Sequence, residues 1–158
     1  MRKSALVLFT VLLLLAAYLF VGRPWLQERS VKQAIVEYDL ALTDAFLTGD
    51  SGELSAVATP NQRSSVASYL GLFELQGIRL RAELISLELI ESEVTQDGAT
   101  AEVQELWRYD GLSADGLSTG DRNVEASTLR YVLVRSEGRW MIDDVVVIST
   151  ESREEVGQ

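Results

Sequence analysis

A few residues in this chain have the types and spacing to do chemistry. Glu105, in "AEVQELWRY", alternates with Val103 and Trp107, so on a strand its carboxyl shares their face. Facing an apolar interior, that carboxyl would lose hydration, rise in pKa and be able to act as a base. The plainer arrangement is a carboxylate at the sheet rim, paired with an arginine such as Arg130. Asp143 and Asp144 are adjacent, so on a strand they point to opposite faces and cannot form a carboxylate pair. Asp144 shares a face with Trp140, Ile142 and Val146, where accepting hydrogen bonds from a turn or an arginine is the expected role. Arg130, between Thr128 and Val132, suits either an anionic ligand or an ion pair with Glu105 or Asp144. With Trp107 and Tyr109, these residues form the candidate pocket set.

Absences narrow the chemistry further. The chain has no histidine and no cysteine. That removes Ser-His-Asp and Cys-His catalysis, His-ligated metals, zinc-thiolate sites and disulfides. A formal net charge of -10 argues against nucleic acid, whose binding needs clustered Lys and Arg. The acidic run "DGLSADGLSTGD" fails as a calcium loop: with Gly116 at the invariant glycine, Gly111 falls at the first ligand and Arg122 at the twelfth. No Walker, Rossmann or G-x-S-x-G pattern is present. The expectation is no cofactor, no metal and no enzymatic activity.

The elements that must position these residues follow from periodicity. "ERSVKQAIVEYDLALTDAFLTGD" carries Val31, Ile35, Tyr38, Leu42, Ala45 and Phe46 at helical intervals, with Ser30 and Gln33 at capping-box spacing and Gly49 placed to end the helix. A short second helix, "GELSAVA", must stop before Pro60. Thr59, Pro60 and Gln62 then read as cap, first turn and third position of another helix, closed by Gly77. From Arg79 the period becomes two. Leu80, Ala82 and Leu84 shift phase to Ile85, Leu87 and Leu89, as a β-bulge would produce, with a helix through Leu84–Ile90 as the alternative. "QDGA" reads as a turn into the alternating "TAEVQELWRY". Residues 110–123 read as a loop, and "VEASTLRYVLV" meets "RWMIDDVVVI" through Ser136-Glu137-Gly138. In that last strand Met141, Val145 and Val147 fall on one face and Trp140, Ile142, Val146 and Ile148 on the other. A strand apolar on both faces is usually covered on both. Met141, Val145 and Val147 are therefore the candidate partner contacts, for a protein partner or a self-dimer across the sheet.

Ahead of this domain, "MRKSALVLFTVLLLLAAYLFVGRPW" is uncharged from Ser4 to Gly22. Its apolar core, Ala5 to Val21, would extend roughly 25 Å as a helix, close to the hydrocarbon thickness. The run is longer than a signal-peptide core and lacks a small-residue cleavage site, which favours an uncleaved anchor. Arg2 and Lys3 place the N-terminus in the cytoplasm, and Trp25 suits the far interface. All 24 acidic but only 11 of the 14 basic residues lie beyond Trp25, so the exported part carries about -13. The expected layout is an anchor over 1–25, a domain over 26–149 and a flexible tail over 150–158.

Three helices followed by four strands in two hairpins imply an α+β domain with helices packed on a curved antiparallel sheet. With Tyr131, Leu133, Arg135, Gly138, Trp140, Ile142 and Asp144 in the final hairpin and "AEVQELWRY" before it, the chain resembles the NTF2-like (SnoaL-like) superfamily of cone-shaped domains. It resembles in particular the membrane-associated Tim44-like and ARC6-type branch. The resemblance implies a cone over roughly residues 30–148, in which enzymes of the superfamily use Asp, His and Tyr side chains. Fold alone does not assign chemistry. The expected function is a membrane-anchored extracytoplasmic accessory or scaffold protein. The alternative is a module that binds a small apolar or anionic ligand in the cone, and a carboxylate-based enzyme comes last.

Overall fold

The computed structural model describes residues 23–113 and 115–154. The expected anchor from Ala5 to Val21 lies outside the described residues. Among the described residues no helix is long and apolar enough to cross a membrane.

Helix α1 (Arg23–Thr48) is followed by a single 3₁₀ turn (Gly52–Ala56), helix α2 (Pro60–Leu75) and four strands: β1 (Ile78–Val94), β2 (Gly98–Ser113), β3 (Ser118–Ser136) and β4 (Arg139–Glu154). The strands form one antiparallel meander in the order β1-β2-β3-β4, so the domain is α+β with two α-helices on one face of the sheet. The expected second helix is only the 3₁₀ turn, which leaves Leu54 as its buried anchor.

Local chemistry accounts for most boundaries. Thr59 caps α2 by accepting from the Gln62 N–H, with Pro60 at the first helical position, where a missing N–H costs nothing. Gly49, at φ 78°, ends α1 and donates its N–H to the Ala45 carbonyl at 2.8 Å. The capping box expected at Ser30 does not form. Helix α1 begins seven residues earlier, so Ser30 lies inside it and donates its hydroxyl to the Gln27 carbonyl. Glu137 and Gly138 both have positive φ, as a two-residue type I′ hairpin requires.

Bulges curve the sheet. Pairing with β2 skips Ile85 and Ile90 on β1, where the phase slip was expected. On β4 the register skips Asp143 and Ile148. The Asp143 bulge also docks α2: its carboxylate accepts from the Thr59 hydroxyl at 2.7 Å, and its carbonyl from the Asn61 amide at 3.0 Å. Two stretches expected to be irregular are ordered strand. β2 and β3 run to Ser113 and from Ser118, with the Ser118 hydroxyl donating to Asp110 at 2.7 Å, and β4 continues to Glu154. Glycine content suggested a loop there, but strand pairing supplies the backbone partners that a loop would lack.

The core lies between the helices and the inner face of the sheet. Val31 and Ile35 of α1 pack with Leu54, Ala101, Val103, Leu133 and Ile142. Trp140 closes this end, donating its indole N–H to the Ser30 hydroxyl at 3.0 Å. The other end of the same interior is hollow.

Candidate functional site

The hollow end is a cavity of about 420 Å³ between α1, α2 and the inner face of β2, β3 and β4. That is within the size range of small-molecule pockets. Its floor is built from two strands and one helix. β2 alternates Val103, Glu105, Trp107 and Tyr109 inward; Tyr131 faces Glu105 from β3; Asp39 reaches down from α1.

Glu105 and Asp39 are each only 1% exposed. Glu105 accepts from the Trp107 indole N–H at 2.7 Å through Oε2 and lies 2.8 Å from the Tyr131 hydroxyl through Oε1. The same hydroxyl lies 3.0 Å from Asp39 Oδ1. A phenol has one proton, so Tyr131 can donate to only one of the two acids. The other contact requires that an acid donate to the phenol oxygen. Glu105 already holds the indole donor and is the better anion; Asp39 is the acid that keeps a proton. The chain of donors thus runs from Asp39 to Tyr131 to Glu105, and the pair holds one negative charge between its two members.

Electrostatics agree with this assignment. Burial, then the neighbouring Glu105 charge, push Asp39 well above the usual carboxylate range, opposed by the hydrogen bond to Tyr131. Burial also raises Glu105, opposed by its bonds from Trp107 and Tyr131. Tyr38 is pushed up to about 12, mainly by burial, while accepting from the Gln62 amide at 2.6 Å. Every lining carboxyl or phenol is neutral or negative at pH 7, and among the described residues no Lys or Arg lines the cavity.

Aromatic rings make the walls. Trp107 and Tyr109 stack at 6.0 Å between centroids, and Tyr38 meets Tyr131 edge-on at 6.1 Å. Phe46 and Tyr69, 6.2 Å apart, stand where α1 and α2 meet at the mouth.

The candidate residues read from the sequence divide. Glu105, Trp107 and Tyr109 line the cavity, and Glu105 is deeply buried, not at the rim. Asp144 borders it, with its carboxylate taken up by the Val145 N–H at 3.0 Å. Arg130 does not reach it. Opposite Glu102 in the β2–β3 register, it points to the outer face and pairs with Glu102 at 3.4 Å. An anionic ligand therefore has no cation to meet inside. The partner-contact set divides as well. The Asp143 bulge shifts the phase of β4, so Val145 stands opposite Tyr131 and Val147 opposite Leu129, both turned into the cavity. Met141, opposite Val134, stays on the outer face.

Asp39 was not singled out by sequence, and Tyr38 and Gln62 were read only as a member of the helical stripe and a residue of the first turn of α2, not as site residues. The signal for Asp39 was present: it occupies the apolar stripe between Ile35 and Leu42, at helical spacing from both. A carboxylate in such a stripe must find a buried partner or hold a proton.

No family model and no curated protein matches this chain. Solved structures do. The intermembrane space region of the chloroplast protein ARC6 superposes with a TM-score of 0.65 at 16% identity, over 77% of this chain and 95% of that one. A Mycobacterium tuberculosis protein of unknown function gives 0.55 at 16% identity, over 86% of this chain and 76% of that one. A type 2 hexachlorocyclohexane dehydrochlorinase (LinA) gives 0.54 at 10% identity, over 83% and 94%. At such identities the likeness speaks for fold alone, and that fold is the NTF2-like cone.

Proposed function

We propose that this domain is a small-ligand-binding module, held outside the cytoplasmic membrane by its N-terminal segment and acting by binding rather than turnover. One observation carries the reading: an aromatic-walled cavity of about 420 Å³ ends on a buried acid pair in which Asp39 Oδ2 has no hydrogen-bond partner. A buried polar atom without a partner costs about 1–3 kcal/mol, which a ligand donor would recover. The scaffold reading rested on Met141, Val145 and Val147; Val145 and Val147 line the cavity and Met141 alone of the three stays on the outer face, so the ligand reading has more to stand on. Without His or Cys the cavity has carboxylic acids, phenols and the Ser65 and Ser127 hydroxyls, with no imidazole to activate a hydroxyl, which favours recognition over reaction. The anchor and its orientation rest on the charge asymmetry around "ALVLFTVLLLLAAYLFV". Placement in the membrane-associated Tim44-like or ARC6-type branch is part of the same proposal, supported by the likeness to the intermembrane space region of ARC6.

The test is titration of the purified protein with the neutral fluorophore N-phenylnaphthylamine. Saturable enhancement, lost in Ser65→Trp, is the expected result. Ser65 is an exposed residue of α2 at the mouth, so a bulky side chain there blocks entry without disturbing the core. No saturable binding, or equal binding by the blocked variant, would sink the reading.

A further inference from the structure

We infer that the ligand is a small organic cation: a protonated amine on a flat apolar body, with its ammonium seated against Asp39 and its body against the aromatic wall. This rests on the cavity being a ligand site, as proposed above, and names the class of ligand it selects.

Four independent features of the cavity converge on that class. The first is charge. Asp39, Glu105, Glu125 and Asp144 are the carboxyls along it, and among the described residues no Lys or Arg lines it. Three arginines of the sheet, Arg81, Arg108 and Arg130, pair across the outer face with Asp110, Glu83 and Glu102, and two others are engaged away from the cavity, Arg79 with the Leu47 carbonyl and Arg135 with the Trp140 ring. An anionic ligand would add to charge already present and meet no counter-ion; a cation would meet several.

The second feature is the unpartnered oxygen. Asp39 is 1% exposed, its Oδ1 is engaged with Tyr131, and its Oδ2 has no partner. A neutral ligand hydroxyl could donate to Oδ2, but only an ammonium adds a charge-assisted bond, roughly twice as strong as a neutral one. The third is the wall. Trp107 and Tyr109 present stacked ring faces, with Tyr38 and Tyr69 beside them. Ring faces carry the negative end of the aromatic quadrupole and attract ammonium groups. The fourth is size: about 420 Å³ fits a bicyclic ring with a short side arm and excludes large polycations.

The acid pair makes the site adaptable. Empty, Asp39, Tyr131 and Glu105 share the proton so that one net charge is buried. An arriving ammonium beside Oδ2 favours the fully ionised pair, so that the proton leaves as the cation enters. The groups that act on Asp39 are Glu105 and Tyr109 from β2, Tyr131 from β3 and Tyr38 on its own helix, while Glu125, Asp144 and Tyr69 line the cavity further off. None of them supplies a positive charge that would compete with the ligand.

The experiment is displacement of bound N-phenylnaphthylamine by three near-isosteric indoles: tryptamine, tryptophol and indoleacetate, which carry a positive, a zero and a negative charge. Tryptamine should displace at a concentration at least about tenfold lower than tryptophol, with indoleacetate weakest. In Asp39→Asn the tryptamine preference should shrink to within about twofold while tryptophol changes little, since an amide copies the shape of the protonated acid. Equal displacement by tryptamine and tryptophol, or a preference for indoleacetate, overturns the cation inference while the fluorophore signal keeps the ligand site. A preference that survives in Asp39→Asn overturns the seat at Asp39 and leaves only attraction to an acidic domain. If the fluorophore itself does not bind, the ligand-site reading fails and the inference with it. The comparison of the three indoles uses the unmodified protein, so it holds even if the variant folds poorly.

Discussion

Glu102 and Glu105 lie three residues apart on β2, and the odd separation puts them on opposite faces of one sheet. On the outer face Glu102 stands opposite Arg130 and pairs with it at 3.4 Å. Glu83 meets Arg108 at 2.9 Å, and Asp110 meets Arg81 at 3.6 Å, each again directly opposite in the register. On the inner face, among the described residues, Glu105 has an indole and a phenol as its hydrogen-bond donors, and Asp39 as its neighbour. Outside, in these three pairs, the carboxylate is matched to an arginine that water reaches, where the attraction is screened and its chief use is to favour one register. Inside, burial removes water and no cation replaces it, so the acids keep a proton and depend on neutral donors. Residue type is the same on both faces; solvent access decides whether it acts as a surface charge or as a proton-holding group.

The largest effect should come from removing the hydroxyl that joins the inner pair. Tyr131→Phe keeps the ring and its volume but leaves two buried carboxyls facing each other with nothing between them. Urea denaturation at pH 7 should show a loss of about 3 kcal/mol, the upper part of the range for orphaned buried polar groups. A loss below about 1 kcal/mol would mean that the hydroxyl does not bridge the acids, and the inner face would lose its distinction from the outer.

A smaller effect with a definite sign comes from pH. Asp39 has its native pKa raised above the ordinary value of 3.8, so the folded state binds more protons than the unfolded state as pH rises past that value. Stability from this group is therefore fully present below about pH 4 and is lost as pH climbs through the native pKa, at up to about 1.4 kcal/mol per pH unit for one proton. Asp39→Asn removes the titration while its amide N–H can still donate to the Tyr131 oxygen. Thermal unfolding from pH 4.5 to 8 should show the variant gaining on the unmodified protein as pH rises. Parallel curves would mean that Asp39 ionises normally in the fold.

How far the sequence reached depended on whether a signal was local. The Thr59-Pro60 cap, the Gly49 stop, the Glu137-Gly138 turn and the phase slip at Ile85 are each set by a few adjacent residues, and each could be read. The alternation of β2 likewise put Glu105 beside Trp107. What could not be read was pairing over distance. Asp39 gains its meaning from Tyr131, 92 residues away, and a helical stripe judged by its apolar members passes over the acid among them. "WMIDDVVVI" failed for a related reason. A regular strand and a strand with one inserted residue have the same sequence, so the face that Val145 and Val147 take could not be read. The bridge from Ala58 to Ile142 and the docking of Thr59 and Asn61 on Asp143 hold the insertion in place. The glycines at 111, 116 and 120 misled because a hairpin of long strands and an open loop share a composition.

The smallest predicted effect is on the outer face, and it sharpens the comparison most because it should be nearly nothing. Arg130 and Glu102 have side chains 54% and 30% exposed, so water and salt screen their attraction. Arg130→Met should cost no more than about 0.5 kcal/mol at low salt, and the double-mutant cycle with Glu102→Gln should give a coupling that vanishes near 1 M salt. Ligand displacement should not change, because Arg130 lies across the sheet from the cavity. A salt-insensitive coupling as large as the Tyr131→Phe loss would put Arg130 and Glu102 in a dry environment, covered by something on the outer face. The two faces would then differ in who supplies the counter-charge and no longer in whether water does.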